Sequence, residues 1–137
     1  MRLTTRSRYG ARLLLDIARN EAEGPVSVSE ISKREDIPVK YLEALIHKLK
    51  RAGYLESVRG PRGGYRLGRS ASDISLAEIV RILEGDLKLV DCEGKDTVCG
   101  RIRDCPTRRI WKDIEDTVTR KLENVSVQDL LHGCHIG

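Results

Sequence analysis

The sequence predicts a mainly α-helical protein with one small β-hairpin: a winged helix-turn-helix followed by a long C-terminal helix. Three observations favour this fold class. Apolar residues recur at helical spacing in several segments. A turn of only a few residues joins the second and third of these segments. A glycine-rich basic turn then separates two short strand-like runs. The length of 137 residues fits one compact domain, or one with an appendage.

Residues 6–20 form the first predicted helix, with an apolar face that includes Tyr9, Leu13 and Ile17. Ser27 and Glu30 have the spacing of a capping box, which predicts the start of a second, shorter helix. The third helix is expected over residues 38–52 and is followed by Gly53, at the position that favours a left-handed cap. Its inward stripe is Leu42, Leu45, Ile46 and Leu49.

A β-hairpin follows, with strands near residues 54–58 and 65–67 and the turn RGPRGG between them. A second capping-box pattern, SLAE, begins the fourth helix at Ser75, which ends near Gly85. A long helix is then expected from about residue 106 to residue 124, and Ser126 caps a last short turn over 127–131. The stripe of the long helix is Ile110, Trp111, Ile114, Val118 and Leu122.

Positive charge is concentrated in the first half of the chain. Residues 1–68 contain 14 lysines and arginines against 8 aspartates and glutamates, whereas residues 69–137 contain 11 against 13. A basic half suits a polyanionic partner. Together with a helix-turn-helix and a basic wing, it predicts binding to double-stranded DNA. We therefore assign residues 1–70 to a winged helix-turn-helix DNA-binding domain and residues 71–137 to a second region.

The candidate DNA-binding residues lie on the third helix, the wing and the N-terminus. A helix in the major groove reaches base edges: Glu43 can accept from cytosine, and Lys40 can reach guanine or phosphate. Arginines of a wing suit a narrow minor groove, and N-terminal arginines suit phosphates. Alternatively, Glu43 only pairs with His47 on a solvated helix face, and the hairpin arginines only add solubility. The full set is Arg2, Arg8, Lys40, Tyr41, Glu43, His47, Arg59 and Arg62.

Three cysteines, Cys92, Cys99 and Cys105, lie within one polar stretch, CEGKDTVCGRIRDC. Thiolates are the usual protein ligands of iron–sulfur clusters. The sequence contains no apolar run of membrane-spanning length and no signal-peptide core, so we expect a cytoplasmic protein without membrane contact. A structural disulfide is disfavoured there. A zinc site, a redox thiol switch and inert thiols remain alternatives, although the short C-x₂₋₄-C spacing of structural zinc sites is absent.

The sequence resembles the bacterial winged-helix regulators of the IscR/NsrR/CymR family over nearly its whole length. The resemblance rests on the opening MRLT with RYG close behind, on YLEALIHKLKRAGYLESVRGPRGGYRLGR, on ISLAEIVRILEG, and on the clustered cysteines before PTRRIW. It implies a transcription regulator that is a homodimer crossed through the long C-terminal helix, so that residues 71–137 form a sensor loop and dimerisation region. One recognition helix would read each half of a palindromic operator, with the wing in the minor groove.

The resemblance also implies that Cys92, Cys99 and Cys105 hold an iron–sulfur cluster, two-iron two-sulfur above all, through which the protein senses cluster, redox or nitric oxide status. Arg108 stands where the IscR branch carries a histidine, and an arginine is a poor ligand. The fourth ligand therefore stays open. Its candidates are Asp91, Glu93, Asp104, His132, Cys134 and His135.

A function from another class would be a cysteine-based oxidoreductase or metal-handling protein. The sequence lacks a C-x-x-C pair and a nucleotide-binding glycine motif. Its three histidines offer few carriers for acid–base chemistry near neutral pH. We therefore expect a regulator and not an enzyme, with a zinc- or thiol-switch regulator as the alternative to a cluster.

Overall fold

The computed structural model describes residues 2–94 and 98–133 and confirms the predicted order of helices and strands. Two short 3₁₀ turns, Glu21–Glu23 and Ala71–Asp73, separate some of these elements. Most boundaries lie within a residue or two of those expected from the sequence. The elements are α1 Thr5–Asn20, α2 Val28–Glu35, α3 Val39–Arg51, β1 Leu55–Val58, β2 Gly64–Leu67, α4 Leu76–Glu84, α5 Arg108–Glu123 and α6 Val127–Leu131.

Local hydrogen bonds set the starts of the shorter helices. The Ser27 side chain accepts from the Glu30 backbone N–H at 3.2 Å, and Glu30 accepts from the Ser27 N–H at 3.2 Å. The same reciprocal pairs form at the starts of α4 and α6. Each box satisfies backbone donors that a helix start leaves without partners. The capping boxes predicted at Ser27 and Ser75 are therefore confirmed.

Helices α1, α2 and α3 enclose the main apolar core. The four residues predicted as the inward stripe of α3 are all buried. Asp16, a buried residue of α1, accepts two hydrogen bonds from the Arg34 guanidinium of α2, at 2.8 and 2.9 Å. This bidentate pair fixes the position of α2 against α1, and hence of the turn that leads into α3.

The hairpin is antiparallel, with Leu55 opposite Leu67 and Val58 opposite Gly64. Just after its turn, the hairpin is tied to the segment before α2 by two hydrogen bonds of 2.8 Å between Val26 and Tyr65. Gly64 makes this close approach possible, because a Cβ atom there would lie 2.5 Å from the Val26 carbonyl oxygen. The wing is thereby held against the helical body.

Helices α4 and α6 share their core with the first three helices, since Ile74, Ile79, Leu83 and Val127 belong to the same buried cluster as Leu13 and Leu49. Helix α5 is different. Its only buried residue is Glu115, whereas Ile110, Trp111 and Ile114 are exposed. No helix within the described residues is long and apolar enough to cross a membrane.

Candidate nucleic-acid interface and cysteine loop

The face of α3 opposite the core is polar and free of internal pairing. Lys40, Glu43 and His47 are exposed. Within residues 2–94 and 98–133 their side chains make no hydrogen bond or ion pair, so the alternative pairing of Glu43 with His47 does not form. These three side chains are available to an external partner.

Tyr41 lies between α3 and α1 and is only half exposed. Its hydroxyl shares a 2.8 Å hydrogen bond with the Thr5 hydroxyl, and its ring meets the Tyr9 ring edge-on at 5.6 Å between centroids. The sequence placed Tyr41 among the outward residues of α3. The structure gives it a contact with the first turn of α1, so it links the N-terminus to the recognition helix.

The hairpin tip exposes Arg59 and Arg62. The turn that carries them closes through a hydrogen bond of 2.9 Å from the Gly63 N–H to the Gly60 carbonyl. A Cβ at Gly63 would lie 2.2 Å from the Val58 carbonyl oxygen, so only glycine fits this turn. Arg66, further along β2, is instead paired with Glu56 at 3.0 Å. The tip therefore carries unpaired cations among the described residues, while the strands do not.

Arg2 and Arg8 are exposed at the N-terminus, and the Arg8 Nε donates to the Thr4 carbonyl at 3.4 Å. Glu84, the last residue of α4, binds the start of α1 through hydrogen bonds. It accepts from the Thr4 N–H and hydroxyl at 2.7 and 2.6 Å and from the Ser7 hydroxyl at 2.8 Å. Burial works to raise the pKa of Glu84, but the hydrogen bonds from Thr4 and Ser7 outweigh it and lower the pKa to about 2. No local pattern around Glu84 pointed to this role.

The cysteine loop joins α4 to α5 and is anchored near its start by Glu115. This buried carboxylate accepts from the Leu89 N–H at 2.7 Å and from the Lys112 ammonium at 3.0 Å. The Leu89 N–H lowers the pKa of Glu115 most, against the opposing effect of burial, and Lys112 adds to the lowering. The anchor ties the segment before Cys92 to the second turn of α5. Sequence reasoning missed it, because the partners are 26 residues apart.

Cys92, Cys99 and Cys105 are free thiols in the structure. The Cys99 N–H donates to the Cys92 carbonyl at 3.0 Å, beside a bridge between Glu93 and Val98, so the first two cysteines are neighbours. The Cys105 sulfur lies 3.3 Å from the Thr107 hydroxyl. That hydroxyl and the backbone N–H groups of Arg108 and Thr107 lower the pKa of the Cys105 thiol.

The side chains of the loop do not converge on one point. In the part of the chain that the structure describes, no three histidine, cysteine, aspartate or glutamate side chains are close enough to hold a metal ion. The donor chemistry nevertheless fits an iron–sulfur cluster: three free thiols lie on one short segment, and the pKa of one of them, Cys105, is lowered. The Nε of Arg108 is a buried donor without an acceptor among the described residues, and Arg108 lines the same small cavity as Cys92.

The candidate fourth ligands are dispersed. Glu93 accepts from the Arg108 Nη2 at 3.0 Å, Asp104 lies 3.8 Å from Arg101, and the His132 Nε2 is 2.6 Å from the Gln128 side-chain nitrogen. Asp91 is exposed. Cys134 and His135 lie outside the described residues. The structure therefore singles out none of them.

A helix-turn-helix with a free polar recognition face and a basic wing defines a winged-helix DNA-binding regulator. Residues 3–133 match the Rrf2 family, described as iron-dependent transcriptional regulators, and the chain belongs to that family. Its relatives include protein Rrf2 of Nitratidesulfovibrio vulgaris, 45% identical over 131 residues (96% of this chain and 87% of the relative). The transcriptional regulator IscR of Photorhabdus laumondii is 39% identical over 132 residues, covering 96% and 80% of the two chains.

Solved structures agree with this assignment. CymR, the global cysteine regulator of B. subtilis, has a TM-score of 0.82 and 30% identity, with 96% of this chain and 97% of CymR covered. IscR of T. potens has a TM-score of 0.80 and 32% identity, covering 98% and 89%. These comparisons confirm the family resemblance, the fold class and DNA-binding transcription regulation. They also confirm that the protein is not an enzyme, which removes the oxidoreductase alternative.

Proposed function

We propose that this protein is a homodimeric transcription regulator that senses iron–sulfur cluster, redox or nitric oxide status through a two-iron two-sulfur cluster held by Cys92, Cys99 and Cys105. One observation carries the proposal: three free thiols lie on a segment that joins α4, which packs on the DNA-binding helices, to the exposed helix α5. When bound, the cluster supplies a state that changes on oxidation, nitrosylation or loss. The family description as iron-dependent regulators supports this assignment.

The contacts at the end of α4 support a route from the loop to the DNA-binding surface. Glu84 is the residue before Gly85, where the loop begins, and it holds Thr4 and Ser7 at the start of α1. The neighbouring Thr5 bonds to Tyr41 on α3. A displacement of the end of α4 would therefore reach the recognition helix through two hydrogen-bonded contacts. A switch of this kind requires different DNA affinities in its two states.

DNA contacts follow from the free side chains. We assign Lys40, Glu43 and His47 to the major groove, because they are exposed on one face of α3. Arg59 and Arg62 are assigned to the minor groove and Arg2 and Arg8 to phosphates. Tyr41 serves this surface mainly by fixing α3 against α1. The proposal keeps residues 1–70 as the DNA-binding domain and 71–137 as the sensor and dimerisation region.

The exposed stripe of α5 supports a homodimer. Ile110, Trp111 and Ile114 are 50%, 40% and 39% exposed. Apolar side chains in such a row favour burial against a second surface, and a second copy of α5 offers the same stripe. A two-fold dimer presents two recognition helices, which suits a palindromic operator. As a regulator that binds chromosomal DNA, the protein is expected to act in the bacterial cytoplasm.

The test is anaerobic purification followed by the visible absorption spectrum and by iron, acid-labile sulfide and zinc per monomer. A coloured protein with roughly two irons and two sulfides per monomer supports the two-iron two-sulfur assignment. A protein that stays colourless after reconstitution with iron and sulfide contradicts it. Operator affinity of cluster-loaded and cluster-free protein is then compared, and equal affinity at every promoter tested contradicts sensing through the cluster.

The DNA assignment is tested separately with arginine variants of the hairpin. Arg62→Ala is expected to weaken binding and to reduce the slope of log affinity against log salt by about 0.9, because a cation in the minor groove also displaces a counterion condensed on the phosphates. Arg66→Ala is the matched control, since Arg66 lies on the same hairpin but is paired with Glu56. An unchanged slope in Arg62→Ala contradicts the wing assignment.

A second candidate is a zinc- or thiol-switch regulator without a cluster. The lowered pKa of the Cys105 thiol favours it, because thiolates bind zinc and react with oxidants. The same metal analysis separates it from the cluster. About one zinc and no sulfide per monomer would identify a zinc site, and metal-free protein with oxidant-dependent DNA binding would identify a thiol switch.

A further inference from the structure

We infer that Arg108 is a positioning residue of the cysteine site whose Nε–H donates a hydrogen bond to a sulfur anion held beside Cys92, and that it does not itself serve as a ligand. The inference deepens the proposed cluster function, on which the identity of the anion rests. Its starting observation is an orphaned atom. The Nε of Arg108 is completely buried and has no hydrogen-bond partner among the described residues.

An orphaned guanidinium donor is energetically unfavourable. Burying a donor without an acceptor costs on the order of 1–3 kcal/mol, and more for a charged group. Arginine cannot shed this cost by losing its proton, because it stays protonated throughout the accessible pH range. An acceptor at this position therefore stabilises the folded protein, and an anionic acceptor does so most strongly.

The surroundings of Arg108 contain sulfur. Arg108 and Cys92 line the same small cavity, of about 30 Å³, together with Asp91 and Glu93. Such a volume admits a water molecule or an acceptor of similar size. Lys112, another lining residue, is already bonded to Glu115 at 3.0 Å. The Cys92 thiolate, or an inorganic sulfide of a cluster that Cys92 would hold, is the sulfur anion that this cavity can offer to the Nε–H.

Arg108 also connects the two ends of the cysteine segment. Its backbone N–H lowers the pKa of the Cys105 thiol by hydrogen bonding. Its Nη2 donates to Glu93, the residue after Cys92, at 3.0 Å. Arg108 is the first residue of α5, so a single residue links Cys105 and Glu93, the neighbour of Cys92, to the start of this helix. A ligand histidine at this position would hold the metal directly. Arg108 instead positions the segments on either side of the anion and contributes a positive charge.

The positive charge of Arg108 should have measurable effects of a predictable sign. A cation near a thiolate attracts an anionic reagent, and hydrogen bonds and charge near cluster sulfurs set the reduction potential. Because reduction adds negative charge, Arg108 should raise the potential and Glu93 should lower it. If the salt bridge only maintained the shape of the loop, Arg108→Gln and Glu93→Gln would shift the reduction potential in the same direction, since either change breaks the bridge.

The first experiment uses the full-length, cluster-free protein. The alkylation rate of Cys92 is followed by mass spectrometry with anionic iodoacetate and with neutral iodoacetamide. The ratio of the two rates is compared, because it cancels differences in thiolate fraction and accessibility. We expect Arg108→Gln to lower the ratio about threefold, Arg108→Lys to restore part of it, and Glu93→Gln to raise it. Arg109→Gln, which removes the same charge from the exposed neighbouring residue, should leave the ratio nearly unchanged.

The second experiment measures the midpoint reduction potential of the reconstituted protein. The proposal requires a more negative potential in Arg108→Gln and a more positive one in Glu93→Gln. Shifts of the same sign, or an unchanged iodoacetate ratio in Arg108→Gln, would overturn it. If the unsubstituted protein binds no cluster, the proposed cluster function fails, while the alkylation ratio still decides the role of Arg108.

Discussion

Glu84 and Thr4 lie 80 residues apart in sequence and are joined by two short hydrogen bonds, from the Thr4 N–H at 2.7 Å and from its hydroxyl at 2.6 Å. Thr4 is the residue that caps α1, and Glu84 is the last residue of α4. The carboxylate thus lies at the positive end of the α1 dipole, where an anion is favoured. This contact makes the start of α1 depend on the position of the end of α4.

Glu84→Gln should destabilise the protein in a pH-dependent way. The pKa of Glu84 in the folded protein is about 2, below its ordinary value of 4.5. Because folding lowers this pKa, the stabilisation is complete above about pH 4.5 and is lost as the pH falls toward 2. Urea unfolding at pH 6 should show a loss of about 2 kcal/mol in the variant.

The difference in the free energy of unfolding between the unsubstituted protein and Glu84→Gln should shrink at pH 3. Glu56→Gln is the control, since Glu56 and its partner Arg66 are both more than half exposed. Such a surface pair contributes little, roughly 0–1 kcal/mol. A destabilisation by Glu84→Gln that is equally large at pH 6 and at pH 2.5 would contradict the assigned pKa.

Tyr41→Phe tests the contact between α1 and α3. The variant loses the 2.8 Å hydrogen bond to Thr5 but keeps the ring that packs on Tyr9. We expect a loss of stability of about 1 kcal/mol and weaker operator binding, because α3 is less firmly positioned. Fluorescence anisotropy with labelled operator DNA measures the second effect. Thr5→Val should act alike, and the double variant should be no worse than either single one. Strictly additive effects would show that the two hydroxyls act independently.

Gly64→Ala should disrupt the contact that holds the wing against the segment before α2. The added Cβ would meet the Val26 carbonyl oxygen at 2.5 Å, and this neighbour is backbone that cannot rotate away. The expected loss of stability is about 2 kcal/mol, with weaker DNA binding. Gly60→Ala is the matched comparison, because its Cβ would point into open space and only its positive φ of 116° opposes the change. The midpoint temperature of thermal unfolding should be much lower for Gly64→Ala than for Gly60→Ala. The reverse order would argue against the close approach of wing and body.

Ile114→Glu should separate the proposed dimer. The side chain is 39% exposed in the single chain, so a carboxylate there costs the monomer little, whereas two such charges facing each other in a dimer repel. Sedimentation should show monomer for this variant and dimer for the unsubstituted protein. Asp116→Lys, another exposed position of α5, is the control and should leave the dimer intact. A dimer that persists in Ile114→Glu would place the interface elsewhere.

The amino-acid sequence by itself determined the helices, the hairpin and their order. Capping boxes such as Ser27–Glu30 act within one helical turn, and the buried stripe of α3 repeats at helical spacing, so both are readable locally. The free cations at the hairpin tip follow from the same local reading. The cysteine cluster was also evident, since its members are close in sequence.

Only the tertiary structure decided the contacts between distant segments. Glu84 and Glu115 look like ordinary charged residues at helix positions, because the backbone groups that bind them are 80 and 26 residues away. The pattern of α5 predicts an apolar stripe but not which side of the molecule it faces: Leu122 packs against α4, whereas Ile110 and Ile114 are left exposed. Arg108 acquires its meaning in the same way. The family resemblance shows that Arg108 replaces a histidine, whereas the burial of its Nε and its bond to Glu93 exist only because folding brings the start of α5 against the cysteine segment.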